Sequence, residues 1–90
     1  MDRLQLILSS ADGVRIERPC CSVILPASDG LLGVLPGHAP MLCAVKAGEL
    51  ICRSETGESE RSELSDGVAF VADNRVTVLL QSLRGREEEE

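Results

Sequence analysis

Residues 29–40 (Asp-Gly-Leu-Leu-Gly-Val-Leu-Pro-Gly-His-Ala-Pro) constrain the fold of this chain more than any other stretch. They hold three glycines, two prolines and the only histidine of the sequence between two apolar runs. Glycine adopts positive φ, and proline fixes φ and removes a backbone donor, so the segment cannot form a helix. Proline also restricts the residue before it, which makes residues 36–40 a rigid corner. We expect this corner to present His38 at the surface.

Short alternating runs on both sides of this segment predict β-strands. Apolar side chains at alternate positions near the start and near the end of the chain mark strands with one buried face: Leu4, Leu6, Leu8, Val76, Val78 and Leu80. Residues 20–25 are almost wholly apolar, which favours a strand buried on both faces. Turn signals such as Asp12-Gly13 recur at short intervals. The pattern therefore predicts an all-β sandwich without a helix.

Length and charge narrow the functional class. Ninety residues allow one domain, and four of the fifteen acidic residues are the final glutamates, so the rest of the chain carries eleven acidic residues against nine basic ones. Phe70 is the only aromatic residue, and no basic stripe accompanies it, which argues against nucleic-acid binding. The sequence has no apolar run of membrane-spanning length and no signal peptide, so we expect no membrane insertion and an intracellular location.

The cysteines and the histidine do not form a recognisable catalytic or metal-binding pattern. Cys20, Cys21, Cys43 and Cys52 lack the Cys-x-x-Cys spacing of zinc sites, and small hydrophobic core residues are the favoured interpretation. His38 has no nucleophile, metal-spaced carboxylate or phosphate-binding loop near it in sequence. We therefore expect no catalytic residue, no metal and no cofactor.

Residues 33–40, followed by Met-Leu and by Lys-Ala-Gly-Glu-Leu at residues 46–50, carry a family resemblance. Together with residues 65–71 and residues 74–79, they resemble the N-terminal domain of the epsilon subunit of F-type ATP synthases. The resemblance covers nearly the whole chain and implies a flattened antiparallel β-sandwich.

The resemblance also implies partners and site residues. A protein of this kind is a non-catalytic rotor subunit on the cytoplasmic side of the bacterial inner membrane, and it binds the gamma subunit and the ring of c subunits. The residues implied to face the c ring, at one end of the sandwich, are Asp29, Leu31, Gly33 and His38. The candidates for the gamma-binding face are Val68, Phe70 and Val71.

The resemblance ends near residue 83, which divides the chain into a sandwich at residues 1–83 and an acidic, disordered tail at residues 84–90. In the resembled family a helical hairpin follows the sandwich, inhibits the enzyme and, in some members, binds ATP. The residues after Leu83 are too few for such a hairpin, so we expect neither inhibition by a helical arm nor ATP binding. The alternative functions are a small β-sandwich or cupin-like enzyme and another protein-binding β module. A cupin needs clustered histidines for its metal, and this chain has one histidine.

Overall fold

The computed structural model describes residues 3–89, with side chains as far as residue 83. Within this range the chain forms ten strands and no helix, which confirms the all-β prediction. The strands are β1 (Leu4–Ser10), β2 (Arg15–Cys20), β3 (Ser22–Ala27), β4 (Gly30–Val34), β5 (Met41–Val45), β6 (Gly48–Arg53), β7 (Ser59–Leu64), β8 (Gly67–Ala72), β9 (Arg75–Leu80) and β10 (Leu83–Glu89).

The strands form one curled sheet in the order β10-β7-β6-β3-β5-β8-β9-β1-β2, with β4 paired to β3. β3 connects two halves, because it pairs with β6 at residues 22–24 and with β5 only at Ala27 and Val45. One half contains β3, β4, β6, β7 and β10, and the other contains β5, β8, β9, β1 and β2. The β1–β9 pair is parallel, and the other pairs are antiparallel.

The two halves enclose one hydrophobic core. The inward positions of each strand follow the period of two, and the largest fully buried side chains come from both halves of the sheet: Leu4, Leu6, Leu8, Leu25, Leu50 and Leu64. Each such leucine stabilises the fold by roughly 1.5–3 kcal/mol relative to an exposed one. The predicted inward sets of β1 and β9 are therefore confirmed.

The halves are also joined where β2 meets β6 and β7. Nε of Arg18 on β2 lies 3.2 Å from Oε1 of Glu60 on β7. The backbone N–H of Cys21, between β2 and β3, donates a hydrogen bond of 2.8 Å to the carbonyl oxygen of Arg53. These contacts close the curled sheet into a sandwich.

The structure differs from the sequence prediction in two segments. Residues 20–25 are not buried on both faces, because Ile24 is exposed while its neighbours Val23 and Leu25 are buried. The backbone of Leu83–Glu89 forms β10 along β7, where a disordered tail from residue 84 was expected. A strand ladder is made by backbone groups, so the open side of β7 can pair with a segment that lacks an apolar alternation.

Candidate interaction surfaces

The hairpin of β3 and β4 carries three of the four residues predicted to face the c ring. Asp29 lies in its two-residue turn and is exposed, and Gly30, with φ of 129°, begins β4. Leu31 is 78% exposed on the outer face of β4. Gly33 is exposed on the same face, where an added Cβ atom would meet nothing within 4 Å. The hairpin therefore presents an acidic turn followed by an uncharged strand.

The corner that contains His38 is held by three hydrogen bonds. The N–H of His38 donates to the carbonyl oxygen of Leu35 at 3.1 Å, and Gly37, with φ of 87°, donates its N–H to Oδ1 of Asn74 at 2.7 Å. Nδ1 of His38 lies 2.7 Å from the carbonyl oxygen of Ala39, so Nδ1 carries the proton and donates it. These bonds keep the imidazole half-buried, so the expectation of an exposed His38 is only partly met.

The structure does not bring Asp29 and His38 together. β5 begins at Met41, shortly after His38, and ends at Val45, which pairs with Ala27 beside the turn that holds Asp29. Five extended residues span roughly 13 Å. β5 therefore runs between these two residues, which were predicted to lie at one end of the sandwich.

The outer surface of β5, β8 and β9 carries a contiguous apolar face. Phe70 is 45% exposed and lies opposite Leu42, which is 64% exposed, and Val68 lies opposite Leu79. We call this set, Leu42, Val68, Phe70 and Leu79, the β5–β8–β9 face. A shallow depression beside Phe70 is lined by polar side chains of the β8–β9 turn and of β9: Asp73, Arg75 and Thr77.

Val71 does not belong to this face. Its side chain is 2% exposed and packs in the core, because successive residues of β8 point to opposite faces. Leu42 and Leu79 belong to this face instead. They were missed because their segments were predicted as strands without asking which of their side chains point outward. Because Val76, Val78 and Leu80 alternate as the buried side chains of β9, the sequence already indicated that Leu79 points outward.

Three of the four cysteines, Cys20, Cys43 and Cys52, pack in or against the core. Cys20 and Cys52 are buried, which confirms their interpretation as core residues, and their thiols interact with each other by hydrogen bonding. That bond and burial raise the pKa of Cys20, and the same bond lowers the pKa of Cys52. Burial raises the pKa of Cys43. Sγ of Cys21 lies 3.3 Å from the carbonyl oxygen of Ser54 and donates to it.

The described part of the chain has neither a metal-binding cluster nor a membrane-spanning helix. Among the side chains that the structure describes, no three from His, Cys, Asp or Glu come together in a way that could hold a metal ion. Residues 3–89 contain no helix long and apolar enough to cross a membrane.

Comparison with known sequences identifies the domain. The profile of the ATP synthase delta/epsilon chain β-sandwich domain matches residues 3–84. The ATP synthase epsilon chain of Rhodospirillum centenum is 39% identical over 89% of this chain, and that of Moorella thermoacetica is 33% identical over 98%. This chain spans 56% and 66% of the length of these two relatives, respectively.

Solved structures have the same fold. A chain in the cryo-EM structure of the Euglena gracilis mitochondrial ATP synthase (OSCP, F1 and c ring) matches 93% of this chain with a TM-score of 0.83 and 22% identity. The match covers 54% of that chain. A chain in the central stalk and c-ring structure of the Tetrahymena thermophila mitochondrial ATP synthase matches 90% of this chain and 65% of its own length, with a TM-score of 0.71 and 13% identity. This chain therefore belongs to the ATP synthase delta/epsilon family, as its β-sandwich domain, and its curated relatives are epsilon chains.

Proposed function

We propose that this chain is an epsilon subunit in the central stalk of a rotary F-type ATP synthase, where it binds the gamma subunit and the c ring. It works as a non-catalytic part of the rotor, on the cytoplasmic side of the bacterial inner membrane. The main support for this proposal is that a domain of this family exposes the apolar β5–β8–β9 face.

The β5–β8–β9 face has the properties of a protein-binding surface. Leu42 and Phe70 are exposed cross-strand neighbours, and Val68 and Leu79 continue the same apolar surface. Soluble monomers rarely expose large contiguous apolar patches, and interface cores are enriched in aromatic residues. The polar side chains around the depression beside Phe70 supply the rim that such interfaces have. We assign this face to the gamma subunit.

We assign the c-ring contact to the hairpin of β3 and β4. Asp29 and Leu31 are exposed there, at a position separated from His38 by the length of β5. His38, held against the β8–β9 turn through its neighbour Gly37, forms a separate contact with the rotor. The chain thereby touches its partners at more than one point, which a part that transmits torque requires.

The role in energy coupling is mechanical. The curled sheet, its shared core and the hydrogen-bonded corner make a rigid body. A rigid body held by gamma on one face and resting on the ring with its hairpin turns with both and transmits torque, and no covalent bond is made or broken. Prolines and short turns suit this role because they limit local motion.

The experiment is co-expression of this chain with the gamma subunit and c subunits of the same organism, followed by purification on tagged gamma. We expect the chain to co-purify in a one-to-one ratio with gamma, and Phe70→Asp to abolish its recovery. Val14→Asp is the matched control, because Val14 is a similarly exposed apolar residue outside the β5–β8–β9 face. Absence of the wild-type chain from the complex, or equal loss with both variants, would contradict the proposal.

A further inference from the structure

β4 lies at an open edge of the sheet. Within residues 3–89 it pairs with β3 alone, so its other side has no neighbouring strand. An open strand edge is a template for another strand, because every second residue points its backbone N–H and C=O groups outward.

The hydrogen bonds of β3 determine which residues of β4 point outward. Two bonds flank the Ala27–Val45 pair on the side of β5: Ser28 N to Ala44 O at 3.1 Å and Lys46 N to Pro26 O at 2.9 Å. Ala27 itself therefore directs its own backbone groups to the opposite side, toward Gly30 of β4.

The alternation continues along β4. Gly30, Leu32 and Val34 are the residues whose backbone groups face β3, and Leu31 and Gly33 direct their N–H and C=O groups to the open side. Within the described chain, no backbone bond outside the strand ladders involves Leu31 or Gly33. Two donors and two acceptors are therefore presented along this edge.

This edge lacks the usual protection against strand pairing. The β2 edge carries Arg15, Glu17, Arg18 and Pro19, whereas β4 itself contains no charged residue and no proline. Charged side chains and prolines are how proteins keep exposed edges from pairing. The shortness of β4, five residues, is what limits nonspecific association here.

The outward side chains around this edge form an apolar notch. Leu31 and Leu35 are 78% and 62% exposed, and Gly33 stands between them with open space above its Cα atom. Ile24 of β3, opposite Gly33, is also exposed. The open space at Gly33 leaves room for an uncharged side chain of an added strand.

We propose that the β4 edge receives an extended, uncharged polypeptide segment of the rotor as an added strand, hydrogen-bonded to the backbone of Leu31 and Gly33. The inference rests on the proposed function, and it specifies how the β3–β4 hairpin is recognised. A second copy of this chain is the less suitable occupant. Two five-residue strands side by side bury far less than the roughly 1,200 Å² of a stable interface, so this contact needs a partner held elsewhere as well.

The first test is residue-resolved amide hydrogen exchange of the free chain and of the chain assembled with gamma and the c ring. We expect the Leu31 and Gly33 amides to exchange at least about tenfold more slowly in the assembly, whereas Leu32 and Val34 are protected in both states. Unchanged Leu31 and Gly33 exchange in an assembled complex would refute strand addition and leave the proposed function standing. Failure of the chain to assemble would overturn both. Protection that rises with the concentration of the free chain would assign the edge to a second copy, against the proposal.

The second test removes one edge donor. Gly33→Pro deletes the outward N–H of Gly33 and breaks no bond to β3, and Gly33→Ala keeps the N–H while filling the notch with one methyl group. We expect Gly33→Pro to weaken assembly by about tenfold and Gly33→Ala by much less, since a lost hydrogen bond also leaves the partner's acceptor unpaired.

The matched control is Glu17→Pro on the β2 edge, where the natural Pro19 shows that an outward proline fits. The bond from Ser10 N to Val14 O places the N–H of Glu17 on the open side of β2. We expect this variant to assemble within about twofold of wild type, with circular dichroism establishing that all variants fold. Equal effects of Gly33→Pro and Gly33→Ala would overturn the proposal.

Discussion

The backbone N–H of Gly37 donates a hydrogen bond of 2.7 Å to Oδ1 of Asn74, which joins the His38 corner to the β8–β9 turn. The carbonyl oxygen of Asn74 also accepts a bond of 2.9 Å from Gln5 N at the start of β1. Asn74 therefore connects three segments that are distant in sequence. Its φ of 60° suits asparagine, which tolerates the left-handed region better than most residues.

Replacing Asn74 tests the importance of this connection. Asn74→Gly keeps the turn conformation and removes the side-chain acceptor, so we expect it to lower the free energy of unfolding by about 1 kcal/mol. Asn74→Asp retains an acceptor oxygen and is expected to stay within about 0.5 kcal/mol of wild type. Urea unfolding measures both values. Equal stability of wild type and Asn74→Gly would show that the bond to Gly37 contributes nothing.

Replacing Gly67 by alanine tests how closely β8 approaches β9, and Gly33→Ala is the matched control. A Cβ atom on Gly67 would overlap the carbonyl oxygen of Leu79 and lie 2.9 Å from Cδ2 of Leu80, whereas one on Gly33 meets open space. We expect Gly67→Ala to cost about 2 kcal/mol or more, because the overlapping atom belongs to the backbone of β9. Gly33→Ala should leave stability nearly unchanged.

Thermal unfolding separates these two variants. A loss of this size lowers Tm by about 8–16 °C in a domain of this length. A Gly67→Ala protein with the Tm of wild type would contradict the close approach of β8 to β9.

Local sequence patterns were sufficient for most of the fold. The alternation of Leu4, Leu6 and Leu8 identified the buried face of β1 because side-chain direction in a strand has a period of two. The pairing of residues 83–89 with β7 and the exposure of Ile24 could not be predicted in the same way. Which side of a strand is covered depends on its neighbours, and those neighbours come from distant parts of the chain.

The candidate surfaces depended still more on pairing between strands. Val68 and Phe70 were predicted as surface residues. Because successive side chains of a strand point to opposite faces, the sequence alone could have excluded Val71 from the face that carries Val68 and Phe70. The separation of Asp29 from His38 could not be read from their closeness in sequence. It follows from the pairing of Ala27 with Val45, which sets the hairpin turn at the far end of β5.

The ion pair between Arg18 and Glu60 is expected to contribute modestly to closure of the sheet. Its side chains are 37% and 15% exposed, so solvent screens the attraction and we expect a coupling energy of roughly 0.5 kcal/mol. A double-mutant cycle with Arg18→Gln and Glu60→Gln measures it. The coupling should shrink in 1 M salt, and a value that is independent of salt would show that packing, not charge, joins these residues.

Cys43 gives a prediction about alkaline pH. Burial raises its pKa above the ordinary value of 9.0, so the folded state holds the thiol proton more tightly than the unfolded state does. The stability contributed by the neutral thiol is complete below pH 9 and is lost as the pH rises through the folded pKa. We expect wild type to lose stability more steeply than Cys43→Ala does as the pH rises above 9.

Urea unfolding at several pH values measures this difference. Cys20 is unchanged in the variant, so its own raised pKa contributes equally to both proteins. Parallel pH profiles for wild type and Cys43→Ala would contradict the prediction.

Binding of the gamma subunit by the β5–β8–β9 face is tested most directly by calorimetric titration of purified gamma with wild type, Phe70→Ala and Val14→Ala. We predict that wild type binds gamma and that Phe70→Ala weakens binding by about 30-fold, as expected for an aromatic residue at the centre of an interface. Val14→Ala should bind within about twofold of wild type. Equal affinities of wild type and Phe70→Ala would show that gamma does not bind this face.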